Sequence, residues 1–182
     1  MSNNFIAFVI MSIVIIISFM SISEAASTPW EDSVVVPDTP TDVLKAELTE
    51  VDCLAMNIYH EARGEGVLGH ELVAQVTVNR MADLHYPDTA CEVVLLQRRS
   101  ASTGKIVPHF SWTLDGKSDV AANRSAYRSA YLLAIEYLYM GAEAPVKNFD
   151  KLLAYHADYV NPDWHDMKFV LKYNNHVFYV RA

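Results

Sequence analysis

Residues 49–66, TEVDCLAMNIYHEARGEG, hold the feature that most constrains the fold of this chain, an amphipathic helix with defined ends. Thr49 and Asp52 form a capping-box pattern at its start. Apolar residues then recur at helical spacing, at Val51, Leu54, Ala55, Ile58 and Ala62. Gly64 and Gly66 follow, and glycines in this position end helices. The pattern predicts a helix to about residue 62 that buries one face in a core.

Two carboxylates lie where this helix ends, and the first is suited to proton transfer. At 100° per residue, Glu61 falls about 20° from Leu54 and about 40° from Asn57, at the edge of the apolar stripe. Burial against apolar neighbours favours the neutral carboxyl, the form that a general acid needs. On spacing alone, a structural Glu61 that pairs with Arg63 or caps the next helix is the alternative. Glu65 follows a glycine, so periodicity does not define where it points.

The rest of the domain has helices first and strands last. The patterns predict helices at about 69–82, after Thr89 and at 118–140, with a long polar loop at 98–117. They predict a strand at 152–159 and a two-residue β-hairpin with strands 168–173 and 176–181. This order predicts an α+β fold, a helical domain with a small C-terminal antiparallel β-sheet.

The N-terminal residues predict export. Segment 5–20 is almost wholly apolar, and Ser23 and Ala25 have the −3 and −1 spacing of a cleavage site. We therefore expect a signal peptide at 1–25, a proline-containing linker at 26–48 and a catalytic domain at 49–182. Since the first residues, MSNN, contain no Lys or Arg, an uncleaved membrane anchor is the alternative.

The acidic balance of the chain limits its partners. The formal net charge is −8, and it becomes −7 without residues 1–25, which contain Glu24 and no base. Proteins that bind nucleic acids present a basic surface, so we expect no nucleic-acid partner. We expect contact with a membrane only through an uncleaved N-terminal segment.

The two cysteines, Cys53 and Cys91, have two interpretations. In an oxidising compartment such a pair forms a disulfide, and two inert buried thiols are the alternative. In the chain-entropy model, a disulfide that closes this loop stabilises the fold by roughly 4 kcal/mol.

The sequence gives little support for a metal site. The run that begins at His60 is not H-E-x-x-H, because position 64 is glycine. A late cluster could in principle bind a metal, but its spacings match no standard ligand set; its members are His156, Asp158, His165 and His176. We expect no metal and no cofactor.

An ordered series of longer motifs carries a family resemblance. The series is CLAMNIYHEARGE at 53–65, AQVTVNR at 74–80, PDTACEVV at 87–94, FSW at 110–112, YHADYVNPDW at 155–164 and NHVFY at 175–179. It resembles the cell-wall hydrolase family of spore-cortex-lytic enzymes, the SleB and CwlJ type, over about residues 50–181. The resemblance implies a lysozyme-like fold and a lytic transglycosylase that cuts peptidoglycan between N-acetylmuramic acid and N-acetylglucosamine. It implies that Glu61 is catalytic and that the cysteines are bridged.

The same resemblance implies a wider set of substrate-binding residues: Tyr59, Glu65, Asn79, Phe110, Trp112, Tyr155, His156 and His176. The expected partner is the peptidoglycan glycan strand, met by a monomer in the periplasm or at the cell wall. The alternatives are a hydrolytic muramidase, a peptidoglycan-binding module without turnover, and a metallo-amidase or peptidase that uses the late histidines.

Overall fold

A computed structural model of the protein describes residues 48–100, 103–141 and 149–182. The predicted signal peptide, and the linker except for Leu48, lie outside these residues. Within them, no helix is long and apolar enough to cross a membrane. The helices are α1 (Glu50–Ala62), α2 (Gly66–Ala82), α3 (Ala90–Val94) and α4 (Arg124–Tyr139), and the strands are β1 (Gln97–Arg99), β2 (Ile106–Pro108), β3 (Leu152–Ala157), β4 (Met167–Tyr173) and β5 (His176–Arg181).

Helix α1 is the centre of the core, as its periodicity predicts. The Thr49 side chain accepts the Asp52 backbone N–H, and the Asp52 carboxylate accepts the Thr49 N–H, so the capping box is confirmed. Leu54, Ala55 and Ile58 are fully buried. The helix packs against α2, α3 and α4, so apolar side chains surround it over most of its length.

The C-terminal sheet is antiparallel, with strand order β3-β5-β4. Asn174 and Asn175 connect β4 to β5, and Asn174 has a φ of 46°, a conformation that Asn tolerates in tight turns. The predicted hairpin is therefore confirmed. One face of the sheet packs on α2 in a second apolar cluster whose buried members are Leu72, Val76, Phe149, Leu152 and Phe178.

Three predicted boundaries are wrong. Helix α2 begins at Gly66, where a φ of 74° redirects the chain, rather than at Gly69. Helix α4 begins only after Asn123, whose side chain accepts the Ala126 N–H at 3.1 Å and caps the helix. The predicted loop at 98–117 contains most of an antiparallel pair, β1–β2, and a 3-10 turn at Ser111–Leu114. Nearly every residue of these two strands is exposed, so they carry no period-2 apolar signal.

A disulfide and a carboxylate join α1 to α3. Cys53 and Cys91 are bonded, which confirms the predicted bridge. Beside the disulfide, the Glu50 carboxylate accepts hydrogen bonds from the backbone N–H groups of Ala90 and Cys91. These N–H groups lie at the start of α3, where a helix has no backbone acceptor for them. These bonds fix the short helix α3 against the core.

A buried chain of hydrogen bonds attaches the 3-10 turn to the helices. Trp112 Nε1 donates to Asn57 Oδ1 at 3.0 Å, and Asn57 Nδ2 donates to Thr77 Oγ1 at 3.1 Å. The Trp112 ring also stacks on His60, with 4.7 Å between ring centroids. Buried amide groups are costly to leave unpaired, so Asn57 fixes the position of the segment after β2.

We predict that reduction of the Cys53–Cys91 bond lowers the free energy of unfolding by up to about 4 kcal/mol, because the released loop regains chain entropy. Denaturant titrations of the oxidised and the reduced protein measure the difference. Thiol counting on denatured, unreduced protein is expected to find none, and two free thiols would contradict the bridge.

We predict that Trp112→Phe lowers the free energy of unfolding by roughly 2–4 kcal/mol, because it removes ring volume and leaves the buried Asn57 Oδ1 without its donor. The matched control is Trp164→Phe, since Trp164 is 38% exposed; we expect a change within about 0.5 kcal/mol there. Equal effects of the two substitutions in denaturant titrations would show that the Trp112 hydrogen bond contributes nothing.

Candidate active site

The Glu61 side chain extends from the last turn of α1, where the helix leaves the core. Leu54 and Asn57, on the same side of the helix, are fully buried, while Glu61 is partly buried. The predicted position at the edge of the apolar stripe is therefore confirmed. The carboxyl lies between a hydrophobic interior and solvent, an environment typical of a general acid.

Burial raises the pKa of the Glu61 carboxyl above its ordinary value. Three interactions act in the opposite direction, because each favours the ionised form. They are a hydrogen bond from the Tyr155 hydroxyl to Glu61 Oε2 at 3.1 Å, the charge of Arg80, and a hydrogen bond from the backbone of Ser111. The net effect keeps Glu61 protonated to a higher pH than an exposed glutamate. The same three groups stabilise the carboxylate after it gives up its proton.

Tyr155 comes from β3 and connects the sheet to Glu61. Its ring packs edge-on against His176 at 5.1 Å and contacts Phe178 at 5.3 Å and Phe110 at 6.3 Å. Burial and the neighbouring Glu61 carboxylate raise the pKa of the Tyr155 hydroxyl well above its ordinary value. The hydroxyl therefore stays protonated and donates its hydrogen bond over the whole working pH range.

Arg80 supplies a positive charge beneath the site. Its side chain is 6% exposed, and its Nε donates to the Leu153 carbonyl at 2.8 Å. The guanidinium lies over the rings of Phe110 and Tyr86, 5.0 Å and 5.2 Å from their centroids. An arginine remains charged even when buried, so this charge acts on Glu61 without titrating.

The second carboxylate of the motif, Glu65, faces the β-hairpin. It is 8% exposed. Its Oε1 accepts from Asn175 Nδ2 at 3.4 Å and lies 3.7 Å from His176 Nδ1. A Cβ on Gly69 would lie 2.2 Å from the Glu65 Cβ, so only glycine fits there. Glu65 thus joins the α1–α2 junction to the turn between β4 and β5.

Three of the predicted substrate-binding aromatics lie in the core. Tyr59 is 1% exposed and Phe110 is 2% exposed, and Trp112 is also buried. The Tyr59 hydroxyl accepts from Arg63 Nη1 at 2.9 Å and from the Asn123 backbone N–H at 3.0 Å. The structure therefore places these three side chains in the core next to the site, and their contact with substrate stays a prediction.

Two more predicted residues lie away from Glu61. Asn79 Nδ2 donates to the carbonyls of Phe149 and Leu152 at 2.8 Å and 2.9 Å, so it anchors β3 to α2. His156 follows Tyr155 on β3 and projects from the opposite face of the sheet. There its Nε2 lies 2.9 Å from the Tyr179 hydroxyl. Of the predicted set, the structure brings Glu61, Tyr155, His176 and Glu65 into one connected group.

A family model described as Cell Wall Hydrolase matches residues 64–179, more than half of the chain. The chain belongs to the cell wall hydrolase family. The matched region begins just after Glu61, so it includes Glu65, Tyr155 and His176 but not the candidate acid itself.

A solved structure has the same fold as this cell wall hydrolase. It is the catalytic domain of the germination-specific lytic transglycosylase SleB from Bacillus anthracis, with 23% sequence identity and a TM-score of 0.52. The match covers 79% of this chain and 99% of that chain. The fold expected from the motif resemblance, a helical domain with a small sheet, is confirmed. No curated protein sequence matches the chain.

Two parts of this hydrolase's site were not predicted from the sequence. Arg80 is a charged residue at a buried position of α2, and that burial is the signal that could have pointed to it. The backbone contact from Ser111 had no such signal, because backbone donors carry no residue identity. Both act on Glu61 from segments that are distant from it in sequence.

We predict that Tyr155→Phe moves the alkaline limb of the activity profile to higher pH. The substitution removes a hydrogen bond that favours ionised Glu61, so the pKa of Glu61 rises and the carboxyl stays protonated to a higher pH. Turnover also falls, because the carboxylate loses a partner. The matched control is Tyr179→Phe, on the opposite face of the sheet, which should leave the limb in place. A limb that stays or moves to lower pH in Tyr155→Phe would contradict this role.

Proposed function

We propose that this protein is an exported lytic transglycosylase that cleaves peptidoglycan between N-acetylmuramic acid and N-acetylglucosamine, with residues 49–182 as its catalytic domain. The observation that carries the proposal is the Glu61 carboxyl, partly buried, raised in pKa and held by the Tyr155 hydroxyl. Membership of the cell wall hydrolase family supports the substrate. The printed activity of the structural relative, a lytic transglycosylase, supports the reaction.

In this mechanism Glu61 acts twice. As an acid it gives its proton to the glycosidic oxygen while the bond to the muramic C1 breaks. The carboxylate that results is stabilised by the Tyr155 hydroxyl and by the charge of Arg80. As a base it then removes the proton of the muramic C6 hydroxyl, whose oxygen bonds to C1. The products are a free N-acetylglucosamine 4-hydroxyl and a 1,6-anhydromuramic end, and Glu61 is protonated again.

We infer a route in which Glu61 is the only carboxylate that takes part in the chemistry. Glycosidases that hydrolyse with two carboxylates hold them about 5–9.5 Å apart across the cleaved bond. The described groups that act on the Glu61 carboxyl are the Tyr155 hydroxyl, the Arg80 charge and the Ser111 backbone. Glu65 is buried against Asn175 and His176, which suits a structural or orienting role. A mechanism with one acid-base residue and an internal hydroxyl nucleophile needs no second carboxylate.

We predict that Glu61→Gln reduces turnover on purified sacculi by at least ~10²-fold, because glutamine keeps the size and the acceptor for Tyr155 but has no transferable proton. The matched variant is Glu65→Gln, which should retain more activity since it transfers no proton here. Both are assayed at equal folded concentration, with binding to sacculi by sedimentation as the second readout. Clearing by Glu61→Gln at near the wild-type rate, or loss of activity only in Glu65→Gln, would overturn the assignment.

The mass of the products separates the reaction types. We expect muropeptides with 1,6-anhydro ends, lighter by one water than the reducing ends that a muramidase leaves. Reducing ends alone would replace the transglycosylase with a hydrolase. Binding to sacculi with neither product would favour a binding module. Cleavage of the stem peptides, by an activity that a chelator abolishes, would favour a metallo-amidase or peptidase.

A further inference from the structure

A cavity of about 260 Å³ adjoins the Glu61 site on the side of the β1–β2 hairpin. Tyr155 belongs to both, since it lines the cavity and donates to Glu61. The residues that define the character of the cavity are Arg80, Tyr86, Arg98, His109, Tyr155 and Trp164. None of the residues that line it is an aspartate or a glutamate, so the cavity has no acidic group of its own.

Two arginines give this cavity a positive charge. Arg80 is 6% exposed, and its Nη1 is buried with no hydrogen-bond partner among the described residues. An unpaired guanidinium N–H in such a place is costly unless a ligand accepts it. Arg98 is exposed, rests over the Tyr86 ring at 5.6 Å and donates to the His85 carbonyl at 3.2 Å. Within the described part of the chain it makes no ion pair with a carboxylate.

The histidine in the cavity adds no charge that competes with the arginines. Burial, together with the charges of Arg80 and Arg98, lowers the pKa of His109 to about 4. The ring is therefore neutral near neutral pH and offers one hydrogen-bond donor and one acceptor. The cavity then combines two fixed positive charges with aromatic walls, in a chain whose net charge is −8. A local excess of arginine in an acidic protein indicates an anionic ligand, and guanidinium groups fit carboxylates best.

We propose that this cavity binds a carboxylate of the stem peptide carried by the muramic acid residue whose C1 reacts at Glu61. The proposal rests on the proposed function and adds to it a determinant of substrate choice. The stem is attached to the lactyl group of that same sugar, so it must leave the reaction centre on one side, and this cavity shares Tyr155 with the centre. Arg98 lies at the exposed edge and Arg80 at the buried end, so the carboxylate would enter past Arg98.

The chain offers a matched pair of arginines for the test. Arg98 and Arg99 are neighbours on β1, and successive side chains of a strand point to opposite sides. Arg98 lines the cavity, whereas Arg99 does not and donates to the Gly104 carbonyl. Both are exposed, so Arg98→Gln and Arg99→Gln change the charge equally and should both fold.

The substrates should differ only in stem charge. The amines of soluble glycan strands with intact stems are first acetylated. Half of these strands are then amidated at their carboxylates with carbodiimide and ammonium, which gives a carboxylate sample and an amidated sample. For wild type we expect kcat/KM and affinity to favour the carboxylate strands by roughly tenfold, as for a charge-assisted arginine contact. Arg98→Gln should lose most of this preference, mainly through KM, while Arg99→Gln should keep it.

Binding and turnover together separate the two proposals. Binding is measured calorimetrically with both strand samples, and turnover by product release. Cleavage of both samples by wild type without preference, or an equal loss of preference in Arg98→Gln and Arg99→Gln, would overturn the stem pocket and leave the lytic function standing. Carboxylate-dependent binding that Arg98→Gln removes, without any cleavage, would support the pocket and overturn the lytic function.

Discussion

The partial burial of the Glu61 carboxyl is the constraint on which the rest of the site depends. A carboxylate held against apolar surface loses hydration, which raises its pKa and destabilises the charged form. Left alone, such a group would keep its proton and be a poor proton donor, because the carboxylate that it forms would be unstabilised. The Tyr155 hydroxyl and the Arg80 charge restore part of the lost stabilisation, so the same residue can give up a proton and later recover one.

This balance requires parts of the chain that are far apart in sequence to stay fixed. Tyr155 is 94 residues from Glu61, and it reaches the carboxyl only because β3 is attached to α2. Besides the apolar packing of the sheet on α2, Asn79 and Arg80 donate to backbone carbonyls at the start of β3 or beside it. Trp112 is fixed through Asn57 in the same manner. Buried hydrogen bonds of this kind define one arrangement, because every alternative leaves a polar group unpaired.

Local sequence patterns predicted much of this architecture. The capping box and the apolar period of α1 predicted both the helix and the phase of Glu61, and the paired asparagines predicted the β4–β5 hairpin. The β1–β2 pair was missed because its strands are short and exposed. The structure places only part of the predicted substrate-binding set close to Glu61. Motif residues such as Phe110 and Asn79 hold the fold together, and a motif alone does not distinguish such residues from those that contact substrate.

The central claim concerns the protonation of one carboxyl, and a direct titration tests it. We would follow the side-chain carboxyl carbons of the glutamates by ¹³C NMR in the full-length protein and assign Glu61 as the signal absent from Glu61→Gln. The account predicts that this signal titrates above the ordinary glutamate value of 4.5, because burial outweighs the bonds from Tyr155, Arg80 and Ser111. A Glu61 signal that titrates at or below that value would contradict it, since the carboxyl would then already be ionised when the glycosidic oxygen needs its proton.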